Sequence, residues 1–319
     1  MKRKCRSKLA PFIEGLVDEK LACGYNFSTY ASHLTRFDSF LVENGLDNGC
    51  LDEPVFSAWA VRLETENQNS RNSRVHAVCE LADYMECLGH DVFRPYRLGR
   101  DERPTPCIPS KVELERLFAF IDRSRVRNKE FDRFNIEYPV LIRLYYHCGL
   151  RLNEAVGLKR DDVDLLHGSL YVRHSKGDKD RLVFFSKDLL SLLAKYDNKM
   201  DSEYIRGRQW FLPGFYVDRP FSKTTIDKKF KGWWMGSFPT WEGKRPTVQS
   251  LRHAFVVHRM DDWVLEGNGL KAIMPYLSRY LGHSGIEETV YYYHQLDARS
   301  KAVRGILEGC CPVIKGAAL

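Results

Sequence analysis

The sequence predicts a mainly α-helical protein of the α+β kind: an N-terminal helical bundle, then a larger mixed helical domain carrying one small antiparallel β-sheet. Three observations predict it. Apolar residues recur at three-and-four spacing through the first part and most of the second, the period of an amphipathic helix. Two β-rich runs flank a Gly-Asp turn within residues 169–185, the signature of a hairpin. Strands and helices do not alternate, so a doubly wound parallel sheet is not expected. The length of 319 residues suits two domains at about 150 residues each.

Taken in order, Phe12, Ile13, Leu16, Val17, Lys20 and Leu21 share one helical face, and Tyr30, Leu34, Phe37, Phe40 and Leu41 make a second. Asn44-Gly45 ends that helix. Val55 to Leu63 and Val75 to Leu88 give two more runs, with Gly89 as the stop. Residues 93–109, FRPYRLGRDERPTPCIP, hold four prolines and four arginines without periodicity and read as a linker. The domains are therefore expected at 1–105 and 106–319. Arg94, Arg97, Arg100 and Arg103 suit either a strand laid along phosphates or a solvated tether.

The second domain opens with Ser110 and Glu113 three residues on, a capping box ahead of Val112, Leu114, Leu117 and Phe120. A helix over 137–148 stops at Gly149. The hairpin pairs Ser169–His174 with Arg181–Phe185 around Ser175-Lys176-Gly177-Asp178-Lys179-Asp180. Helices are expected after it at 187–197, 223–235, 249–264, 271–281 and 286–293.

Composition narrows the function. Hydrophobic residues make up 44% and charged residues 29%, which excludes a disordered or collagen-like chain. No apolar run reaches the 18 or so residues of a membrane span, so no membrane partner is expected. The basic start (Lys2, Arg3, Lys4, Arg6, Lys8) precedes only a weak apolar segment broken by Glu14 and Asp18, so a secretory signal is not expected. Nine cysteines without a C-x-x-C pair suggest reduced thiols in the cytoplasm. The net charge of +7 is uneven: residues 1–106 hold 14 Lys/Arg against 16 Asp/Glu, and residues 107–319 hold 35 against 26. A basic second domain attracts polyanions, nucleic acid foremost. Neither GxGxxG nor GxxxxGK[ST] occurs, which argues against a nucleotide-dependent enzyme.

Three segments can carry chemistry. In the first, Arg151 follows the helix-ending Gly149 and precedes Glu154. In the second, Arg252 and His253 interrupt an otherwise apolar helical pattern, with Gln249 three residues before Arg252. In the third, Leu281-Gly282-His283 is followed by Tyr291-Tyr292-Tyr293-His294. Singly, each has an ordinary structural explanation. Together, in this order and with Lys176 on the hairpin turn between them, they resemble the tyrosine site-specific recombinases of the phage-integrase type. The resemblance spans residues 110–305; the helical first part is similar in character to that family's core-binding domain and adds no motif. One departure is plain: the family has histidine where Gln249 stands, and an amide cannot accept a proton as imidazole does. His253 and His258 are near in sequence, but neither occupies that position.

The resemblance implies a DNA strand transferase acting through a covalent 3′-phosphotyrosine and a Holliday junction, without metal, ATP or other cofactor. Double-stranded DNA bearing a recombination site would be the partner. Four protomers would assemble on it, with or without accessory proteins, and the apolar face of Ala302, Val303, Ile306 and Leu307 would dock on a neighbour, the alternative being that it packs back onto its own domain. The catalytic residues it implies are Arg151, Lys176, Arg252, His283 and Tyr292, supported by Glu154, Gln249 and His253. These residue types suit the chemistry. Two fork-shaped, permanently charged guanidiniums match the extra negative charge of a pentavalent phosphorus. A free phenol has a pKa of about 10, so cationic neighbours must favour the attacking phenolate. Lys176 is suited to protonate the departing 5′ oxygen. On a helix adjacent side chains diverge by about 100°, so only one of the three tyrosines can face a fixed phosphate; the family spacing selects Tyr292. A type IB topoisomerase-like nicking-closing enzyme, or a non-cleaving DNA-binding regulator on the same scaffold, are the alternatives, the latter favoured only by Gln249.

Overall fold

The computed structural model describes residues 5–94, 106–173, 180–283, 285 and 288–289. The chain divides into two compact units, Met1–Pro104 and Thr105–Leu319.

The first unit is built from α1 (Ala10–Ala22), α2 (Ser28–Glu43), α3 (Glu53–Ala60) and α4 (Gln68–Cys87). Ile13, Leu16, Leu34, Phe37, Leu41, Phe56, Val78 and Leu81 are each at most 1% exposed and form its core, one apolar stripe from each helix. Two helix ends differ from those expected. Helix α3 stops at Ala60, three residues before Leu63, and Val61 is extended. The buried guanidinium of Arg74 accounts for this: it bonds the carbonyls of Trp59 and Val61 and pairs with Glu66 at 2.8 Å. The carbonyls freed at the end of α3 are therefore satisfied without another turn. Helix α4 begins at Gln68, a full two turns before Val75, because the Asn67 side chain accepts the Ser70 N–H as an N-cap. Its polar first half has no apolar period to betray it.

The second unit contains α5 (Lys111–Arg123), α6 (Phe134–Cys148), α7 (Leu152–Val156), the strands β1 (Val163–Asp164), β2 (Ser169–Val172) and β3 (Arg181–Phe184), then α8 (Lys187–Lys199), α9 (Lys223–Ser237), α10 (Val248–Leu265) and α11 (Leu270–Leu281). The Ser110–Glu113 capping box forms at the start of α5. Helix α6 is the hub: Leu141, Ile142 and Leu144 are wholly buried, and it packs on α5, α8 and α10. The sheet is antiparallel throughout in the order β1-β2-β3, with Leu170 opposite Val183 and Val172 opposite Arg181. Strand β1 and the one-turn helix α7 were not foreseen, being too short to show a period.

Two glycines bring three helices to one point. Gly149 ends α6 at φ 58° and Gly282 ends α11 at φ 66°, both left-handed. A Cβ on Gly149 would lie 2.6 Å from the Phe255 ring of α10 and 3.1 Å from Leu281. The ends of α6 and α11 thus meet against α10. Among the described residues no helix is long and apolar enough to cross a membrane.

Candidate active site

Arg151 occupies the N-cap position of α7, two residues beyond the left-handed turn at Gly149. Glu154, one turn on, folds back and accepts the Arg151 backbone N–H at 2.8 Å and its Nη1 at 3.0 Å. Arg252 sits in the middle of α10 and is 1% exposed. A guanidinium tolerates such burial only with its donors engaged. Arg252 Nη1 donates to the Gly149 carbonyl at 2.6 Å and Nη2 to the Leu281 carbonyl at 2.7 Å.

The last carbonyls of α11 bind all of these cations. Arg181, the first residue of β3, donates Nε–H to Tyr280 O at 2.8 Å; Arg252 takes Leu281 O; Arg151 Nη2 takes Gly282 O at 3.0 Å. Three consecutive carbonyls, left without helical partners at a helix C-terminus, thus each receive a different guanidinium. The negative end of the helix dipole favours that arrangement. Glu154 lies among the three arginines, paired twice with Arg181 at 2.9 and 2.7 Å and 3.9 Å from Arg252. Burial would raise its carboxyl pKa, but the hydrogen bonds and charge of Arg181, with help from the Arg151 N–H and Arg252, hold it at about 2. Three fixed positive charges against one carboxylate leave the cluster strongly cationic, a setting that attracts an anion.

His283 comes directly after Gly282. Its Nε2 is 2.9 Å from Arg252 Nη2 and its Nδ1 is 2.7 Å from Oγ1 of the fully buried Thr289. A guanidinium has no lone pair, so Nε2 accepts and Nδ1–H donates to Thr289. Burial first, then the charge of Arg252, pushes the imidazole down to about 4, so it is neutral at pH 7. As placed, His283 is an acceptor; donation to a phosphate oxygen requires Arg252 to turn its N–H to the phosphate and a proton to move to Nε2.

Gln249 is half-buried in the first turn of α10 and borders a cleft of about 580 Å³ shared with Leu152, Lys231 and Arg245. His253 is half-buried, with burial and then Arg252 lowering its pKa to about 4. His258 is turned to another partner, Tyr146 Oη at 2.9 Å from its Nδ1. The structure thus brings together Arg151, Glu154, Arg252 and His283. Lys176 and Tyr292, with Tyr291, Tyr293 and His294, lie outside the described residues, as do Arg97, Arg100, Arg103 and the face from Ala302 to Leu307.

Two members of the cluster escaped the sequence reading. Arg181 reads there only as the start of a strand; a lone cation opening an otherwise apolar run was the available signal. Thr289 carries no signal at all.

Comparison with known proteins gives a consistent result. The model of the phage integrase family matches residues 110–299. The tyrosine recombinase XerC of Chlamydia trachomatis serovar L2 is 31% identical over 266 residues, covering 80% of this chain and 78% of that protein. Among solved structures, the XerH site-specific recombinase bound to a palindromic difH substrate after cleavage superposes with a TM-score of 0.67 at 18% identity, over 88% of this chain and 79% of that one. A λ integrase tetramer bound to a Holliday junction superposes with a TM-score of 0.63 at 15% identity, over 89% and 76%.

Proposed function

The chain belongs to the phage integrase family, and from that membership we propose that it is a site-specific tyrosine recombinase that cuts and rejoins duplex DNA through a covalent 3′-phosphotyrosine. The observation that carries this reading is the convergence of Arg151 and Arg252, from two different helices, on the end of α11 immediately before His283.

In this reading the scissile phosphate enters beside the arginine pair. Each guanidinium trades a protein partner for a non-bridging oxygen, and their charge stabilises the pentavalent state. His283 supplies a further hydrogen bond once Arg252 has turned to the phosphate and the ring proton has moved to Nε2. The Tyr292 oxygen attacks phosphorus, the bond to the 5′ oxygen breaks, and Lys176 protonates that oxygen. The phenol proton passes to solvent water, since the amide of Gln249 is not basic; Gln249 instead hydrogen-bonds a phosphate oxygen. Glu154 orients the arginines, and His253 supports Arg252 from the same helix. The phosphotyrosine conserves the bond energy, so a 5′ hydroxyl of the partner strand reverses the reaction into a recombinant product. No cofactor takes part.

Residues 1–105 contribute core DNA contacts and residues 106–319 carry the chemistry. Four protomers pair two sites and pass through a Holliday junction, in the integration, excision or transposition of mobile DNA, within the cytoplasm on nucleoid DNA. The test is a duplex carrying the sequence that the protein protects from nuclease, nicked near the cleavage point so that rejoining fails. Wild-type protein accumulates a covalent adduct; Tyr292→Phe abolishes it, while Tyr291→Phe and Tyr293→Phe retain it. Specific binding without adduct identifies a non-cleaving regulator, and closure of single duplexes without strand exchange identifies a nicking-closing enzyme.

A further inference from the structure

We propose that Arg181 is a positioning residue for strand cleavage: its fork holds Glu154 in place, so that this carboxylate does not draw Arg151 and Arg252 away from the phosphate. The inference rests on the recombinase reading and adds to it a residue that acts through Glu154.

The geometry sets Arg181 apart from Arg151. Its side chain is only 8% exposed, against 21% for Arg151. All three of its nitrogens bond protein atoms: Nε the Tyr280 carbonyl, Nη1 and Nη2 the two oxygens of Glu154. This forked pairing is the strongest hold that a carboxylate accepts from one side chain. Glu154 also accepts from Arg151 through one oxygen and the backbone through the other, so its orientation is shared between the two arginines.

Removing the Arg181 fork leaves the buried Glu154 carboxylate with only the bonds from Arg151 and the distant Arg252 charge. A buried charge that has lost two of its donors is costly, so Glu154 draws further on the nearest ones, the guanidiniums needed for the phosphate. The pair is pulled from its working orientation although neither arginine has changed. Arg181 also opens β3, opposite Val172 of β2, with its guanidinium on Tyr280 of α11. A Cβ on Gly282 would come 3.0 Å from Arg181 Nη1, which shows how closely the strand and the helix end are fitted. Strand β3 is therefore anchored to the helix end that holds Arg151 and Arg252 and precedes His283. A displacement of about 1 Å among such groups costs on the order of 100-fold in rate.

The experiment measures single-turnover adduct formation and duplex affinity on the same nicked duplex for wild type, Arg181→Met, Arg181→Lys, Glu154→Gln and the double variant Arg181→Met/Glu154→Gln. The expected result is an Arg181→Met cleavage rate lowered about 100-fold with duplex Kd within about threefold of wild type. Arg181→Lys, one ammonium in place of a fork, should recover part of the rate. The double variant should cleave faster than Arg181→Met, because no stranded carboxylate remains to compete for Arg151. Where Arg181→Met fails to fold, Arg181→Lys against wild type decides, with an expected drop in rate at unchanged Kd. Wild-type rate in Arg181→Met, an equal loss of affinity and rate, or a double variant slower than Arg181→Met each overturns the role. Absence of an adduct from wild type overturns the recombinase reading and this role with it, whereas an adduct from wild type and an equal one from Arg181→Met overturns this role alone.

Discussion

Glu154→Gln should destabilise the larger unit at neutral pH by an amount the structure lets one calculate. The carboxyl is held at about 2 against an ordinary 4.5. At about 1.4 kcal/mol for each tenfold difference in proton affinity, this corresponds to about 3 kcal/mol of stabilisation at pH 7. The side chain is only 4% exposed, so solvent screening takes little from that figure. Because the folded-state pKa is depressed, the contribution is complete above the unfolded value and fades as pH falls from 4.5 toward 2. At pH 3 roughly half or less should remain. Urea unfolding of the full chain followed by tryptophan fluorescence measures this, since Trp210, Trp233, Trp234, Trp241 and Trp263 all lie in the larger unit. Other titrating groups are common to both proteins and cancel in the difference. A gap of about 3 kcal/mol at pH 7 that narrows with acid is expected. A gap below about 1 kcal/mol, or one independent of pH, would refute the assignment of Glu154 as the ionised centre of the arginine cluster.

The same geometry yields two further outcomes. Gly149→Ala places a Cβ at a left-handed turn and 2.6 Å from the Phe255 ring; backbone strain of about 1–2 kcal/mol plus displacement of the ring should lower the thermal midpoint by roughly 5–10 °C in a calorimetric scan. Arg252→Lys replaces two nitrogens that bond Gly149 O and Leu281 O with one ammonium, and should slow adduct formation about 100- to 1,000-fold while the protein still folds.

Much of the fold is visible in the chain because its helices bury one stripe each. Leu34, Phe37 and Leu41 repeat on α2 with the period their burial requires, and Ser110 with Glu113 announces the start of α5. What escaped has a physical reason. The first half of α4 is held by the Asn67 cap rather than by apolar burial, and α3 ends early because the guanidinium of Arg74, on the next helix, takes its carbonyls. Both are tertiary effects on local structure.

The site was legible to the extent that its residues stand next to punctuation. Arg151 lies just past Gly149 and His283 just past Gly282, so the two left-handed helix ends flag both. Arg252 was marked by its oddity, a cation within an apolar helix face. Arg181 and Thr289 were hidden because their importance comes from their partners in the folded chain, Glu154 and Tyr280 for the first, His283 for the second. The state of His283 was also beyond the sequence: its neutrality and its accepting Nε2 depend on burial beside Arg252.

Two guanidiniums, an imidazole and a single phenol are held to act on one phosphorus. Proteolysis of the adduct trapped on the nicked duplex, with mass spectrometry of the nucleotide-bearing peptide, tests this most directly. The expected product is a deoxynucleotide 3′-phosphate esterified to Tyr292; a linkage to Tyr291, Tyr293 or any other side chain would contradict it.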